Sequence, residues 1–149
     1  MGPNPKSKSY RYRLSPIFRY TPFTNEGWTM AYIDLTTKNF NEVLDNNEIV
    51  IIDFWAEWCG PCQEFAPIFE KSSEYHSDVV FAKIDTEDQS VIAKHYGVIS
   101  VPTVMIMRNG IIVINHEGTL TEAAIYELIT HVRCLDMDNV REDLNNNEE

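Results

Sequence analysis

Only three cysteines occur in the 149 residues, Cys59, Cys62 and Cys134. That is too few for a disulfide-stapled secreted scaffold and suits a reducing compartment. No apolar run approaches the length needed to span a bilayer, and residues 1–29 lack the apolar stretch of a secretory signal. Bases are scarce, 12 against 23 acids, for a net charge of -11. An acidic body repels nucleic acid and anionic membranes, so neither is expected as a partner. Internal repeats are also missing. A chain of this length reads as one main domain, able to bury about two-thirds of its unfolded surface without metal or structural disulfides.

The charge is unevenly spread. Residues 1–29 carry five bases and one acid, residues 30–135 six bases and 16 acids, and residues 136–149 one base and six acids. The first stretch reads as a basic N-terminal extension containing prolines and aromatics, with no helical periodicity and no clear strand. Its arginines and serines are compatible with organelle import, although its prolines oppose the amphipathic helix such signals form. Residues 30–135 read as the folded domain. Residues 136–149 read as an acidic tail that frays.

From Ala31 the elements alternate. Ala31–Leu35 reads as a short strand. Thr36 or Thr37 is placed to cap a helix bearing Phe40, Val43 and Leu44 on one face. Ile49–Trp55 is apolar except for Asp53, the pattern of a strand covered on both faces. A helix carrying Phe65, Ala66 and Phe69 follows, with Pro61 in its first turn and Pro67 inside it. Val79–Asp85 reads as a strand and Glu87–Tyr96 as a helix stopped by Gly97. Val101–Met107 and Ile111–His116 flank Asn109-Gly110, a strong hairpin signal. Thr119 or Thr121 starts a last helix. This order predicts a central mixed sheet, parallel first and antiparallel at the hairpin, with helices on both faces.

The chemistry sits between a strand and a helix, in Trp58-Cys59-Gly60-Pro61-Cys62. Two thiols three positions apart can close and reopen a small disulfide ring. A helix N-terminus favours the thiolate, because its free N–H groups and macrodipole attract negative charge. The spacing therefore points to thiol–disulfide exchange. Zinc needs further ligands. There is no second CxxC, and His76, His95, His116 and His131 show no ligand-pair spacing.

Over residues 31–133 the chain resembles the thioredoxin family. The resemblance rests on an ordered set: Asp53-Phe-Trp-Ala-Glu-Trp-Cys-Gly-Pro-Cys62, Pro67, Phe81-Ala-Lys-Ile-Asp85, Tyr96-Gly97-Val98, Val101-Pro102-Thr103, Asn109-Gly110 and Gly118. It implies the thioredoxin fold, an α/β architecture whose central mixed sheet has five strands. It also implies roles for individual residues. Cys59 matches the attacking cysteine, with a partly exposed sulfur, and Cys62 the resolving cysteine. Asp53 matches a buried carboxylate that accepts the proton of Cys62, and Lys83 the lysine that partners it. Trp58, Gly60, Pro61, Val101, Pro102 and Gly118 match the surface that receives a substrate strand, with Pro102 in the position of a cis-proline. The family binds no cofactor beyond its own disulfide. It takes electrons from a thioredoxin reductase and passes them to disulfide-containing client proteins, and a cytoplasmic monomer is the corresponding expectation. One departure is Gln63, where the family usually carries Lys or Arg, with Glu57 and Glu64 beside it. Two other functions stay open at this level: a disulfide isomerase or oxidase, although such proteins usually place His between the cysteines, and a non-catalytic interaction module. Cys134 reads as an inert thiol, with a regulatory disulfide as the alternative.

Overall fold

The computed structural model describes the backbone of residues 18–24 and 27–147, and side chains from Tyr32 to Asn147. The basic cluster of Lys6, Lys8, Arg11 and Arg13 lies outside the described residues. In chain order the elements are strands β1 (Phe18–Thr24) and β2 (Gly27–Asp34), helix α1 (Phe40–Asn46), β3 (Ile49–Trp55), α2 (Gly60–Ser72), β4 (Val80–Asp85), α3 (Ser90–His95), β5 (Thr103–Arg108), β6 (Ile111–Glu117), α4 (Glu122–Arg133) and α5 (Met137–Asn147).

The strands form one sheet in the order β1-β2-β4-β3-β5-β6. β2, β4 and β3 run parallel, and β5 and β6 are antiparallel additions. These five make the mixed sheet expected from the sequence. Period-two alternation along β3 and β4 splits the core into two layers. Val50, Ile52, Phe54, Val80, Ala82 and Ile84 pack with Phe40, Val43 and Ile92 of α1 and α3. Ile49, Ile51, Phe81, Val104 and Ile106 pack with Phe65 and Phe69 of α2 and with Ile125, Ile129 and Val132 of α4. β3 serves both layers, and every residue from Ile49 to Phe54 is buried. Its apolar sequence, interrupted only by Asp53, is thereby explained.

Local chemistry accounts for several boundaries. Thr121 caps α4, its hydroxyl accepting from the Ala124 N–H at 3.0 Å. Neither Thr36 nor Thr37 caps α1 by side chain. Asn39 precedes that helix, and its Oδ1 turns back to accept from the Thr36 N–H at 2.8 Å. α3 starts later than expected, because Asp85 Oδ1 takes the Glu87 and Asp88 N–H groups into a turn. The Asn109-Gly110 turn has φ of 55° and 80°, the left-handed pair that a two-residue hairpin of matching twist requires.

Two segments differ from the sequence reading. No strand was expected within residues 1–29, yet β1 pairs antiparallel with β2 as a sixth, edge strand. Pro22 falls where the β1–β2 register shifts, between Thr21 and Thr24. An edge strand tolerates proline at such an irregularity, whereas a central one does not. The C-terminal stretch expected to fray forms α5. Asp136 Oδ1 accepts from the N–H groups of Asp138 (3.0 Å) and Asn139 (3.3 Å), and Met137 is buried. An N-cap acid followed by Met137, Val140 and Leu144 at helical spacing was the missed signal.

Arg108, at the end of β5, closes the base of the domain. Its guanidinium donates to the carbonyls of Val132 and Leu135, both at 2.8 Å, and to Arg133 at 3.3 Å. It also pairs with Glu48 at 3.0 Å. The carbonyl-rich C-terminal end of α4 thus receives a cation of favourable sign. Arg108→Ala should lower the unfolding free energy by about 2 kcal/mol, the scale of lost charge-assisted hydrogen bonds. Urea denaturation is the test. A change within the roughly 0.5 kcal/mol of an ordinary surface substitution would show that this clamp is not structural.

Candidate active site

The redox pair sits where β3 delivers the chain into α2. Cys59 is the N-cap of α2, with extended backbone (φ -92°, ψ 111°), and Pro61 lies in the first turn. Cys59 and Cys62 form a disulfide, their Cα atoms 5.3 Å apart. Cys59 Sγ accepts from the Cys62 N–H at 3.1 Å. A sulfur that receives a helix N-terminal N–H is stabilised as the thiolate once the ring is open.

Against the partly exposed sulfur that the resemblance implies, Cys59 is only 3 % exposed in this disulfide form, as is Cys62. Both pack in a small cluster with Ala56, Trp55 and Val101. Trp58, Gly60 and Pro61 around them are exposed. The ring is therefore reached through a rim of neighbouring residues. Trp58 is 70 % exposed, and its indole N–H donates to Glu87 Oε2 at 3.4 Å.

The opposite wall comes from the segment before β5. The Val101–Pro102 peptide is cis, and Cys59 Sγ lies 3.7 Å from the Val101 carbonyl oxygen. The Pro102 carbonyl accepts from the Gly118 N–H at 2.8 Å. Gly118 has φ 105°, a conformation that side chains oppose. This bond ties the end of β6 to the wall. Beside it runs a groove of about 250 Å³ lined by Trp58, Thr86, Glu87, Lys94, Ile99 and Val101, among others. Ile99 is 87 % exposed. Trp58, Cys59, Val101, Pro102 and Gly118, distant in sequence, are thus brought to one end of the sheet. Ile99 and Glu87 carried no sequence signal of their own, since only the fold sets them at this rim.

Asp53 lies beneath, on the face of β3 that α2 covers. It is 0 % exposed, and among the described residues neither carboxyl oxygen has a hydrogen-bond partner. Burial pushes its pKa up to about 7, against the downward pull of the Lys83 ammonium. The strand register sets Asp53 beside Lys83. Lys83 acts on Asp53 through space, as a partner in register, while its ion pair is made elsewhere. Its Nζ lies 3.8 Å from Glu70 Oε2 on α2. It also stands over the rings of Tyr32 (5.0 Å) and Trp55 (5.4 Å). Glu70 and Tyr32 were not singled out in the sequence, and no local pattern marks contacts made across three elements.

The remaining expectations fall elsewhere. Gln63 is exposed and donates through Nε2 to the Glu57 carbonyl at 2.9 Å, a bond from α2 to the loop before it. Cys134 is an exposed free thiol at the end of α4. His76 is buried against Phe81 with Nδ1 3.3 Å from Arg133, outside the redox pair. Among the described residues no group of three His, Cys, Asp or Glu is placed to hold a metal ion.

The raised pKa of Asp53 has a consequence for stability. Between its ordinary value of 3.8 and about 7 the folded state holds a proton that the unfolded state releases. Stability is therefore lost as pH rises through that window, by about 4 kcal/mol for a shift of this size. Asp53→Asn should remove this loss. Urea denaturation of the oxidised parent and variant from pH 4.5 to 8 is the measurement, and parallel pH profiles would exclude a strained carboxyl.

Known proteins share this arrangement. The thioredoxin family profile matches residues 31–131. A putative thioredoxin 2 from Streptomyces coelicolor is 49% identical over 109 residues, which cover 73% of this chain and 81% of that protein. A mutant thioredoxin from Halobacterium salinarum superposes with a TM-score of 0.64 at 34% identity, covering 69% of this chain and 91% of its own. The oxidised thioredoxin of Plasmodium falciparum gives 0.61 at 32% identity, over 68% of this chain and 97% of its own.

Proposed function

The chain belongs to the thioredoxin family and is a thiol–disulfide oxidoreductase acting on disulfide substrates, and from that premise we propose how its residues divide the work. Cys59 is the nucleophile. Its thiolate attacks a client disulfide, one client sulfur leaves as a thiolate, and a mixed disulfide joins Cys59 to the client. Cys62 then gives its proton to Asp53 and attacks Cys59 Sγ. The second client thiolate leaves, and the Cys59–Cys62 disulfide closes. The client gains two electrons and the protein loses two. The single observation that carries this reading is the Cys62 N–H on Cys59 Sγ at the start of α2, which makes Cys59 the better-stabilised thiolate.

Asp53 suits the acceptor role because a pKa near 7 lets one group take and release a proton at neutral pH. The backbone of Val101 offers a client strand a place to add, a form of strand addition. Trp58, Gly60, Pro61 and Gly118 complete that surface. Electrons return from a thioredoxin reductase, with no further cofactor bound to this domain, and the protein works as a monomer in the cytoplasm. The scarcity of cysteine supports that compartment. Reduction of insulin with NADPH and a thioredoxin reductase tests chemistry and partner together. Turnover with dithiothreitol but none with the reductase would overturn the partner and leave the chemistry standing.

Cys59→Ser should abolish turnover, whereas Cys62→Ser should accumulate client proteins joined through Cys59. Non-reducing electrophoresis with mass spectrometry reads both. Adducts on Cys62 in the Cys59→Ser protein, with none in its counterpart, would reverse the two roles.

A further inference from the structure

Lys83 is the cation of the buried site: it pulls on Asp53 through space, but its ion pair is made with Glu70. Its ammonium has an ion pair with Glu70 at 3.8 Å and two ring faces, Tyr32 and Trp55, at 5.0 and 5.4 Å. The lysine side chain is 10% exposed and the Glu70 side chain 40%. Asp53, its register neighbour, has no hydrogen bond on either oxygen among the described residues. A lysine is long enough to turn to either acid. Where it rests decides whether the Asp53 carboxylate has a close counter-ion.

We propose that Glu70 is a positioning residue for the redox reaction: with Tyr32 and Trp55 it holds the Lys83 ammonium off Asp53, and so keeps Asp53 a proton acceptor at neutral pH. The proposal rests on the reading of Asp53 as the acceptor for Cys62. An opposite charge at contact distance would favour the ionised carboxyl and make it a weaker base. An unpartnered carboxyl in an apolar strand prefers the proton. Glu70 sits one helical stretch beyond Cys62 on α2, so the helix that carries the resolving thiol also carries the residue that restrains the lysine. Among the described residues the one charge that acts on Asp53 is the Lys83 ammonium from β4, and its register partner on β5 is the apolar Val104.

The test is a cycle of Glu70→Gln and Lys83→Met, singly and together, read by carbon-13 NMR titration of the Asp53 carboxyl. The disulfide form is used, so that neither Cys59 nor Cys62 titrates. Glu70→Gln releases Lys83 and should lower the Asp53 pKa by about one unit. In the Lys83→Met background the same substitution should change it little, because the effect runs through the lysine. Should Lys83→Met not fold, Lys83→Gln serves as the background. No fall in Glu70→Gln, or an equal fall without the lysine, would overturn the proposal. The rate at which the mixed disulfide resolves, followed against pH, should shift to lower pH with the carboxyl. A carboxyl that moves while this profile stays still would support the hold on Lys83 and remove Asp53 from the proton transfer.

Discussion

A fully buried carboxyl group, without a hydrogen-bond partner among the described residues, lies in the strand that both halves of the core share. Asp53 is flanked along β3 by Ile52 and Phe54, which face the layer of α1 and α3, while its own side chain faces α2. Ionised, such a group costs free energy that the rest of the core must offset. The surroundings are arranged around that constraint. β3 is hydrogen-bonded along both edges, to β4 and β5, so the strand cannot shift to bring the carboxyl to water. The nearest cation is occupied by another acid. The same strand ends two residues after Asp53 and hands the chain to the cysteines, so the costly group and the reactive ring are kept in fixed relation by contiguous backbone.

The rim is acidic and apolar in patches. Glu57, Glu64 and Glu87 are exposed close to the cysteines in sequence or through Trp58. Gln63 replaces the cation usual in this family, and its amide bonds the Glu57 carbonyl, securing the loop without adding charge. Trp58 and Ile99 are the large apolar side chains exposed on this rim, beside acids that salt screens readily because they too are exposed.

What could be read in the sequence was local or periodic. Ile49–Trp55 announced a doubly covered strand, Asn109-Gly110 a hairpin, and Cys59 to Cys62 a ring at a helix start. Each depends on residues within one element or one turn. What escaped was set by partners far along the chain. β1 exists because β2 offers it an edge, and its own sequence has Pro22 in the middle. Arg108 reads as an ordinary hairpin residue until the end of α4 is placed against it. Glu70 lies among other helix acids with nothing to distinguish it from Glu64, and only the approach of β4 separates them. The burial of Cys59 was hidden for the same reason, since the wall over it comes from Val101.

The sheet order has a bearing on how the site comes into being. Asp53 and both cysteines lie within ten residues, so that half forms with one strand and the helix turn after it. The other half, Val101 and its neighbours, arrives only when β5 pairs with β3, joining Ile49 to Arg108 across 59 residues. Loop closure of that span is unfavourable until the core pairing repays it. A nascent or partly unfolded chain would therefore carry its dithiol before it has the wall that covers it. Selectivity for clients is a property of the completed topology, whereas bare thiol reactivity precedes it.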